Sequence, residues 1–454
     1  MLHSKNVKMT EGPILRSVIV YSIPIVLSGI LQILFNAADL AVVGNFSQAK
    51  TTATAAVGAT GSFISLIVNT VMGLSTGINV TLARSLGAKD RELSSRIAHT
   101  AISVSLIAGV LVGILGFLIS PFAMTVTKCP AEAKAQAILY LRIYFCGAPG
   151  IFLYNFGAAV LRTKGDTRRP LNFLVISGVT NVVLNLLFVI VFRMNAEGVA
   201  LATTVSQYLA AFLTLRCLRY QEDETRIEWS QLRIHAKELF SILRYGVPSG
   251  LSTAMYSLSN LQIQSAINAF QESAVAGNAA ASSLESFIGA GITAVSAATT
   301  AFVGQNVGAG NRKRVGKIIG ACLLIVSVYT LVLGFGMFLI GQPLYRIYVP
   351  DDPAAIEVAV LRGSIMLTFY WLMGIFNVFG AISQTLGYAV SITVNSIVGI
   401  CGVRTLWMQV IYPHFLSLEA VYICYPITWA LITLAHGVVF SIAFVRYHKK
   451  GIVR

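Results

Sequence analysis

Apolar residues fill this chain in long runs separated by short polar turns, from the first run at Tyr21 to the last near the C-terminus. Each run holds about 20 residues or more, enough to cross a hydrocarbon core of about 30 Å as a helix. Twelve can be counted, and they predict helices over 15–45, 52–82, 94–119, 133–161, 168–192 and 197–217, then 242–270, 277–304, 315–341, 355–384, 389–412 and 419–446. None shows the short alternation of an outer-membrane barrel strand. The first run follows a polar, basic N-terminus (MLHSKNVKMTEGPILR) and is too long for a signal-peptide core, so it is expected to remain as the first helix.

The runs form two sets of six that resemble each other. YSIP at Tyr21 to Pro24 returns as YGVP at Tyr245 to Pro248, an offset of 224 that also pairs Asn36 with Asn260, Phe46 with Phe270, and GSFIS at Gly61 with ESFIG at Glu285. ARSLGAKDR from Ala83 returns as GQNVGAGNR from Gly304, and APGIFLYNFGAAVLRTKG from Ala148 echoes LMGIFNVFGAISQTLG from Leu372, with the offset drifting to about 220. Between the sets lies RCLRYQEDETRIEWSQLRIHAKELFSILR, the most charged stretch and a natural linker. The expected organisation is a first lobe over 1–215, a cytoplasmic linker over 216–241 and a second lobe over 242–454. With six helices each, both halves start on the same side, so they are parallel repeats with a substrate path between them. The fold class is therefore an all-α integral membrane protein: twelve transmembrane helices in two six-helix lobes related by a pseudo-twofold axis.

Composition strengthens this reading. With 56% hydrophobic and 11% charged residues and a mean hydropathy of +0.75, the chain has too few charges to cover a soluble surface of its size. The net charge of +15 invites a nucleic-acid reading, but its placement argues otherwise. With the N-terminus in the cytoplasm, 25 of the 33 basic residues, from Lys5 to Arg454, fall in cytoplasmic segments, and Lys50, Lys128, Lys134, Arg142, Arg193, Arg346, Arg362 and Arg404 do not. The positive-inside rule then puts both termini in the cytoplasm of a cell (inner or plasma) membrane, with the lipid bilayer as partner and no nucleic acid. The six cysteines are scattered without a CxxC or Cys/His cluster and read as small core residues.

Of eighteen acids, only Asp39 and Glu285 fall inside helices, one in each half. An Asp at a membrane helix centre costs roughly 2.5 to 3.5 kcal/mol. Either Asp39 lies near the far end of its helix and reaches water, or it binds something the protein moves. Asn36 precedes it by three residues, shares its helix face and can hydrogen-bond it. Glu285, among Ser282, Ser283, Ser286 and Phe287, either lines the cleft and contacts substrate or forms an interlobe bond, with Arg404 as a candidate partner. Arg404, deep in its own helix, reads as part of a structural ion pair or bonded to carbonyls. Arg142 and Arg362 occupy repeat-equivalent positions, which suggests a shared packing role. His99 and His436 read as satisfied histidines, Pro24 and Pro248 as sites of helix bending, and GVLVG at Gly109 to Gly113 as a close helix contact.

These residues resemble a known family. The duplicated architecture, the first-helix pattern IPIVLSGILQILFNAADLAVVGNF, the SLGAKDR and NVGAGNRKR turns and the LRTKGDTRRP turn look like the multidrug and toxic compound extrusion (MATE) transporters, nearer the DinF/MepA-like bacterial branch. The resemblance spans essentially the whole chain. It implies two lobes forming a V, and expulsion of cationic or amphiphilic organic compounds by alternating access, as multidrug antiport in exchange for H⁺ or Na⁺. It also implies that Asp39 sits in a polar pocket with residues of the fifth and sixth helices, here Asn181, Asn185 and Thr203. Asn185 departs from many relatives, which carry Asp there. A Na⁺ site would lose one charged ligand, though carbonyl, hydroxyl and amide oxygens still suit a hard cation. Coupling thus tilts toward H⁺, with a metal-ligand role for Asp39 only if Na⁺ is the ion.

For cationic substrates, Phe35, Phe152, Tyr154, Phe156, Tyr256, Phe287, Phe376 and Phe379 are candidate cation–π contacts, against a default of lipid contact. No enzyme activity and no cofactor beyond the coupling ion is expected, since no HExxH, nucleophile dyad or P-loop occurs. A monomer is expected. The alternative is a lipid or lipid-linked oligosaccharide flippase of the same superfamily. A pyrophosphate cargo needs basic residues in the cleft, whereas the two acids outnumber Arg404 among the deep charges.

Overall fold

The computed structural model describes residues 7–127 and 129–450, so Lys5, Lys128 and Arg454, counted above, lie outside the described residues. The first half holds α1 (Ile14–Phe46), α2 (Lys50–Gly87), α3 (Arg91–Val126), α4 in two pieces (Ala131–Cys146 and Ala148–Thr163), α5 (Arg168–Val191) and α6 (Ala196–Arg219). The second holds α7 (Ala236–Ile267), α8 (Glu272–Gly308), α9 (Arg312–Leu339), α10 (Pro353–Thr385), α11 (Ala389–Phe415) and α12 (Leu418–Lys450), with a short helix Gly341–Tyr348 between α9 and α10. No strand occurs among the described residues.

Ten of these helices are long and apolar enough to span a bilayer, and the two pieces of α4 together make an eleventh. The twelfth, α7, has 32 residues, about 48 Å at 1.5 Å per residue. It falls short only in hydropathy, because Ser252, Thr253, Ser257, Ser259, Asn260, Gln262 and Gln264 crowd its second half. Outward faces are apolar instead of polar: Leu111, Ile114, Leu118 and Phe122 of α3 are each more than half exposed and recur at helical spacing. In a bilayer that stripe meets lipid.

Local breaks have local causes. The pieces of α4 meet at 46° around Gly147, because Pro149 has no N–H to give the carbonyl of Phe145 and its ring crowds that turn. Glycines of α3 accept the irregular backbone. A Cβ on Gly109 would lie 2.6 Å from the Pro149 Cα, and one on Gly113 would lie 2.9 Å from the Phe145 carbonyl oxygen. The GVLVG contact expected from sequence is therefore the seat of the α4 break. α3 itself starts on Asp90, whose side chain accepts from the Leu93 N–H at 2.9 Å. α5 ends in a π-helical turn at Leu187–Val191, and α11 carries two, Ile397–Gly402 and Trp407–Ile411. The turns at 187 and 407 stand 220 residues apart, the offset that relates the two halves in sequence.

By contact the chain forms two compact units, Leu27–Gly246 and Val7–Val26 with the residues from Val247 onward. These limits differ from lobes divided at the charged linker. The start of α1 joins the second unit because Tyr21 packs edge-on against Phe302 at 5.6 Å, Asn306 donates to the Met9 carbonyl at 3.0 Å, and Arg314 donates to the carbonyls of Glu11 and Gly12 at 2.8 and 2.9 Å. The linker and the start of α7 stay with the first unit. The Glu228 N–H donates to His99 Nε2 at 3.0 Å, Arg96 pairs with Glu238 at 2.8 Å, and Lys164 holds Gln221 and Asp223. Pro24 and Pro248 lie inside continuous helices, beside these two junctions.

Each unit has its own core. In the first, Ile78, Leu82, Ile97, Ile102, Phe152 and Phe156 interlock between α2, α3 and α4. In the second, Phe302, Ile318, Ile319, Tyr422 and Trp429 do so between α8, α9 and α12.

Candidate functional site

Asp39, in the second half of α1, is only 9% exposed. α5 presents Asn181 and Asn185 one turn apart on one face, and α6 adds Thr203. Asn185 Nδ2 donates to Asp39 Oδ1 at 2.5 Å and the Thr203 hydroxyl to Oδ2 at 3.4 Å. Asn181 closes the ring, donating to Thr203 Oγ1 at 3.2 Å and accepting from Asn185 Nδ2 at 3.2 Å. The four residues brought together are thus the acid and the three that the resemblance implied. Asn36 is not among them: its side chain is exposed, and the place expected for it beside the carboxylate is filled by Asn185.

Two properties set the chemistry of this ring. Among the described residues no ion pair includes Asp39, so neutral groups alone serve its carboxylate. The carbonyl oxygen of Asn185, a fully buried residue, accepts no hydrogen bond. The ring therefore offers hydroxyl, amide and carboxylate oxygens, a donor set that takes a proton or a hard monovalent cation. Tyr140 and Tyr144 of α4, which sequence reasoning missed, are buried close enough to feel the Asp39 charge. Nothing in their periodicity separates them from ordinary core aromatics.

The second buried acid has a different environment. Glu285 of α8 accepts from Arg362 Nε at 2.8 Å and Nη2 at 2.6 Å, and from the Tyr370 hydroxyl at 3.1 Å. Arg362 Nη1 donates to Asn278 at 2.6 Å, and the rings of Tyr422 and Tyr425 lie within 5.6 Å of its guanidinium. Glu285 therefore pairs within its own unit, and with Arg362 instead of Arg404. Arg404 lies in α11 between the two π-helical stretches, fully buried. It donates through Nη1 to Asn260 at 2.8 Å and stacks on Tyr425 at 4.3 Å and Tyr256 at 5.3 Å. Arg142 meets the Phe117 ring at 4.8 Å, so it shares the repeat position of Arg362 but not its role.

A cavity of about 240 Å³ in the second unit has Tyr256, Glu285, Arg362, Tyr370, Tyr425 and Trp429 in its wall. Of the aromatic candidates, Tyr256 alone lines it. Phe152, Tyr154 and Phe156 are core residues, Tyr154 with its hydroxyl on the Pro170 carbonyl at 3.2 Å. Phe35 packs against Gly178 of α5. Phe287 joins the small cluster around Leu284, Phe376 sits edge-on to His436 at 5.9 Å, and Phe379 stacks on Phe440 at 4.8 Å. His436 donates through Nδ1 to the Phe376 carbonyl at 3.1 Å, and His99 accepts from the linker, as satisfied histidines do.

With this geometry in hand, comparison with known proteins places the chain. The MatE family profile matches twice, over residues 24–187 and 248–407, one copy in each half. The chain is 29% identical over 397 residues to the probable multidrug resistance protein YpnP of Bacillus subtilis, covering 87% of each sequence. It is 26% identical over 396 residues to the probable multidrug resistance protein NorM of Thermotoga maritima, covering 84% of this chain and 81% of that one. A crystal structure of MATE in complex with MaL6 superposes with a TM-score of 0.88 at 24% identity, covering 98% of this chain and 99% of the other, a likeness of fold. The chain belongs to the MatE family, the multidrug and toxic compound extrusion transporters, with the twelve helices in two lobes that the fold requires.

Proposed function

We propose that this protein is a secondary active exporter of cationic and amphiphilic organic compounds, coupled through Asp39. The observation that carries the reading is a buried carboxylate held only by neutral donors, Asn185 and Thr203. Such a charge is costly in the membrane unless a mobile cation accompanies it. A proton, a sodium ion or a cationic substrate each neutralises it, and only one can do so at a time. Competition for that single charge links the entry of the driving ion to the release of substrate.

H⁺ is the favoured driving ion. Asn185 replaces a second carboxylate that would help hold Na⁺, and its free carbonyl oxygen can accept the hydrogen of a protonated Asp39. The multidrug names carried by similar proteins support efflux over a lipid or lipid-linked oligosaccharide flippase. In this reading the protein works as a monomer in the cell membrane, with both termini cytoplasmic as the placement of basic residues suggests.

The test is efflux of a fluorescent organic cation from vesicles energised separately by a pH gradient and by a Na⁺ gradient. Uphill efflux should follow the pH gradient and vanish in Asp39→Asn. Uphill efflux by an Asp39→Asn protein at normal expression would overturn the coupling role.

A further inference from the structure

The cavity of the second unit is built for a ligand of the opposite charge. We infer that it binds a small aromatic acid, a carboxylate borne on one flat ring, with Arg404 and Arg362 as its counter-charges. This goes beyond the Asp39 reading and does not depend on it.

Three observations carry the inference. The first is charge: among the described residues the buried charges of the second unit are two guanidiniums, Arg362 and Arg404, and a single carboxylate, Glu285, which leaves one positive charge in excess. Among the described residues Arg404 has no carboxylate partner, and its Nη2, fully buried, has no hydrogen-bond acceptor. Breaking up a buried pair by removing one partner is strongly unfavourable, and Arg404 stands in that half-finished condition.

The second is the balance of donors and acceptors. The carboxylate and amide acceptors of the wall are already engaged: Glu285 and Asn278 by Arg362, Asn260 by Arg404 and Gln264 by Asn278. Two strong donors are not fully used. The indole N–H of Trp429, a wall residue only 1% exposed, has no acceptor. Arg362, also in the wall, uses three N–H groups on Glu285 and Asn278, and a guanidinium carries five. A buried donor without an acceptor is an exception in folded proteins and calls for a missing partner. Here the missing partner is rich in acceptors.

The third is shape and surface. Tyr256, Tyr370, Tyr425 and Trp429 furnish flat faces, and about 240 Å³ suits one ring. Arg404 itself lies behind this wall, gripped by Asn260, Tyr256 and Tyr425, so its charge reaches the cavity through those three residues.

The test uses the full-length protein in nanodiscs and three probes of one shape and three charges: benzoate, benzamide and benzamidine. Equilibrium dialysis with radiolabelled benzoate should show saturable binding, displaced at least tenfold less well by benzamide and not by benzamidine. Arg404→Met should weaken benzoate binding at least tenfold. Glu285→Gln, which frees Arg362, should strengthen it severalfold, a gain that misfolding cannot produce. Asp39→Asn should leave it unchanged even where it abolishes efflux, which separates this site from the coupling site. Absence of saturable benzoate binding in both wild type and Glu285→Gln, equal competition by benzamidine, or undiminished binding in Arg404→Met would overturn the inference.

Discussion

Asn185 gives one end of its amide to Asp39, nitrogen to oxygen at 2.5 Å, and keeps the other end, its carbonyl oxygen, without a partner. The amide therefore serves the charged carboxylate now and has an acceptor in reserve. Asn185→Asp would set two carboxylates at hydrogen-bond distance, and two such groups cannot both stay ionised without a shared cation. The substitution should make efflux respond to a Na⁺ gradient, severalfold over wild type in vesicles held at equal pH. No gain in Na⁺ response would remove Asn185 from the coupling site.

Glu285 and Arg362 should behave as a structural pair. Arg362→Met leaves a buried carboxylate alone and should cost about 3–5 kcal/mol, whereas the double change Glu285→Leu with Arg362→Met should recover most of it. Thermal unfolding in detergent, followed by tryptophan fluorescence, compares them. A double variant no more stable than the single one would contradict the pairing.

The linker latch should be sensitive to acid. Partial burial raises the ordinary carboxyl value of Asp223, but hydrogen bonds and charge from Lys164, with Thr225 beside it, outweigh that and hold it low. A carboxyl depressed in the folded state contributes stability above its ordinary value and loses it as pH falls through the lower one. Protection from hydrogen exchange over 221–235, taken relative to the unstructured rate at each pH, should thus be high above pH 3.8 and fall below it. Asp223→Asn should speed tryptic cleavage after the already exposed Arg226 at neutral pH, and equal cleavage rates would rule the latch out.

The α3–α4 contact should tolerate no side chain. Gly113→Val would push a methyl-bearing carbon to 2.9 Å from the Phe145 carbonyl oxygen, at a cost of about 1–3 kcal/mol. Gly58→Ala in α2, where nothing lies within 4 Å, should instead be neutral or stabilise by up to about 1 kcal/mol. In the same thermal assay the Gly113→Val midpoint should fall and the Gly58→Ala midpoint should hold or rise.

The helices were largely legible from sequence, because a span of lipid demands a run of apolar residues whatever its neighbours. α7 shows the limit: its serines and amides weaken its hydropathy, and the repeat of YSIP as YGVP supports a run that is the least apolar of the twelve. The Asp39 ring was half legible. Asn181 and Asn185 lie one turn apart, but Asn36, three residues from Asp39, falls on the exposed side of a boundary that spacing alone does not locate. Glu285 was visible as a deep charge, but Arg362 was read only as a packing residue like Arg142; their pairing spans 77 residues, and depth carries no information about partners. The aromatics were least legible, since Tyr154 in a core and Tyr256 on a cavity wall obey the same helical period.

The π-helical turns at Leu187–Val191 and Trp407–Ile411 act as slack in α5 and α11. Each holds more residues than an α-turn, so deleting a single residue from either should let the helix relax to regular winding while the segments on both sides keep their phase. Asn185 lies just before the first turn and Arg404 just before the second. One residue removed at the turn should thus be tolerated where one removed from the regular helix before it, which rotates everything beyond by about 100°, should not.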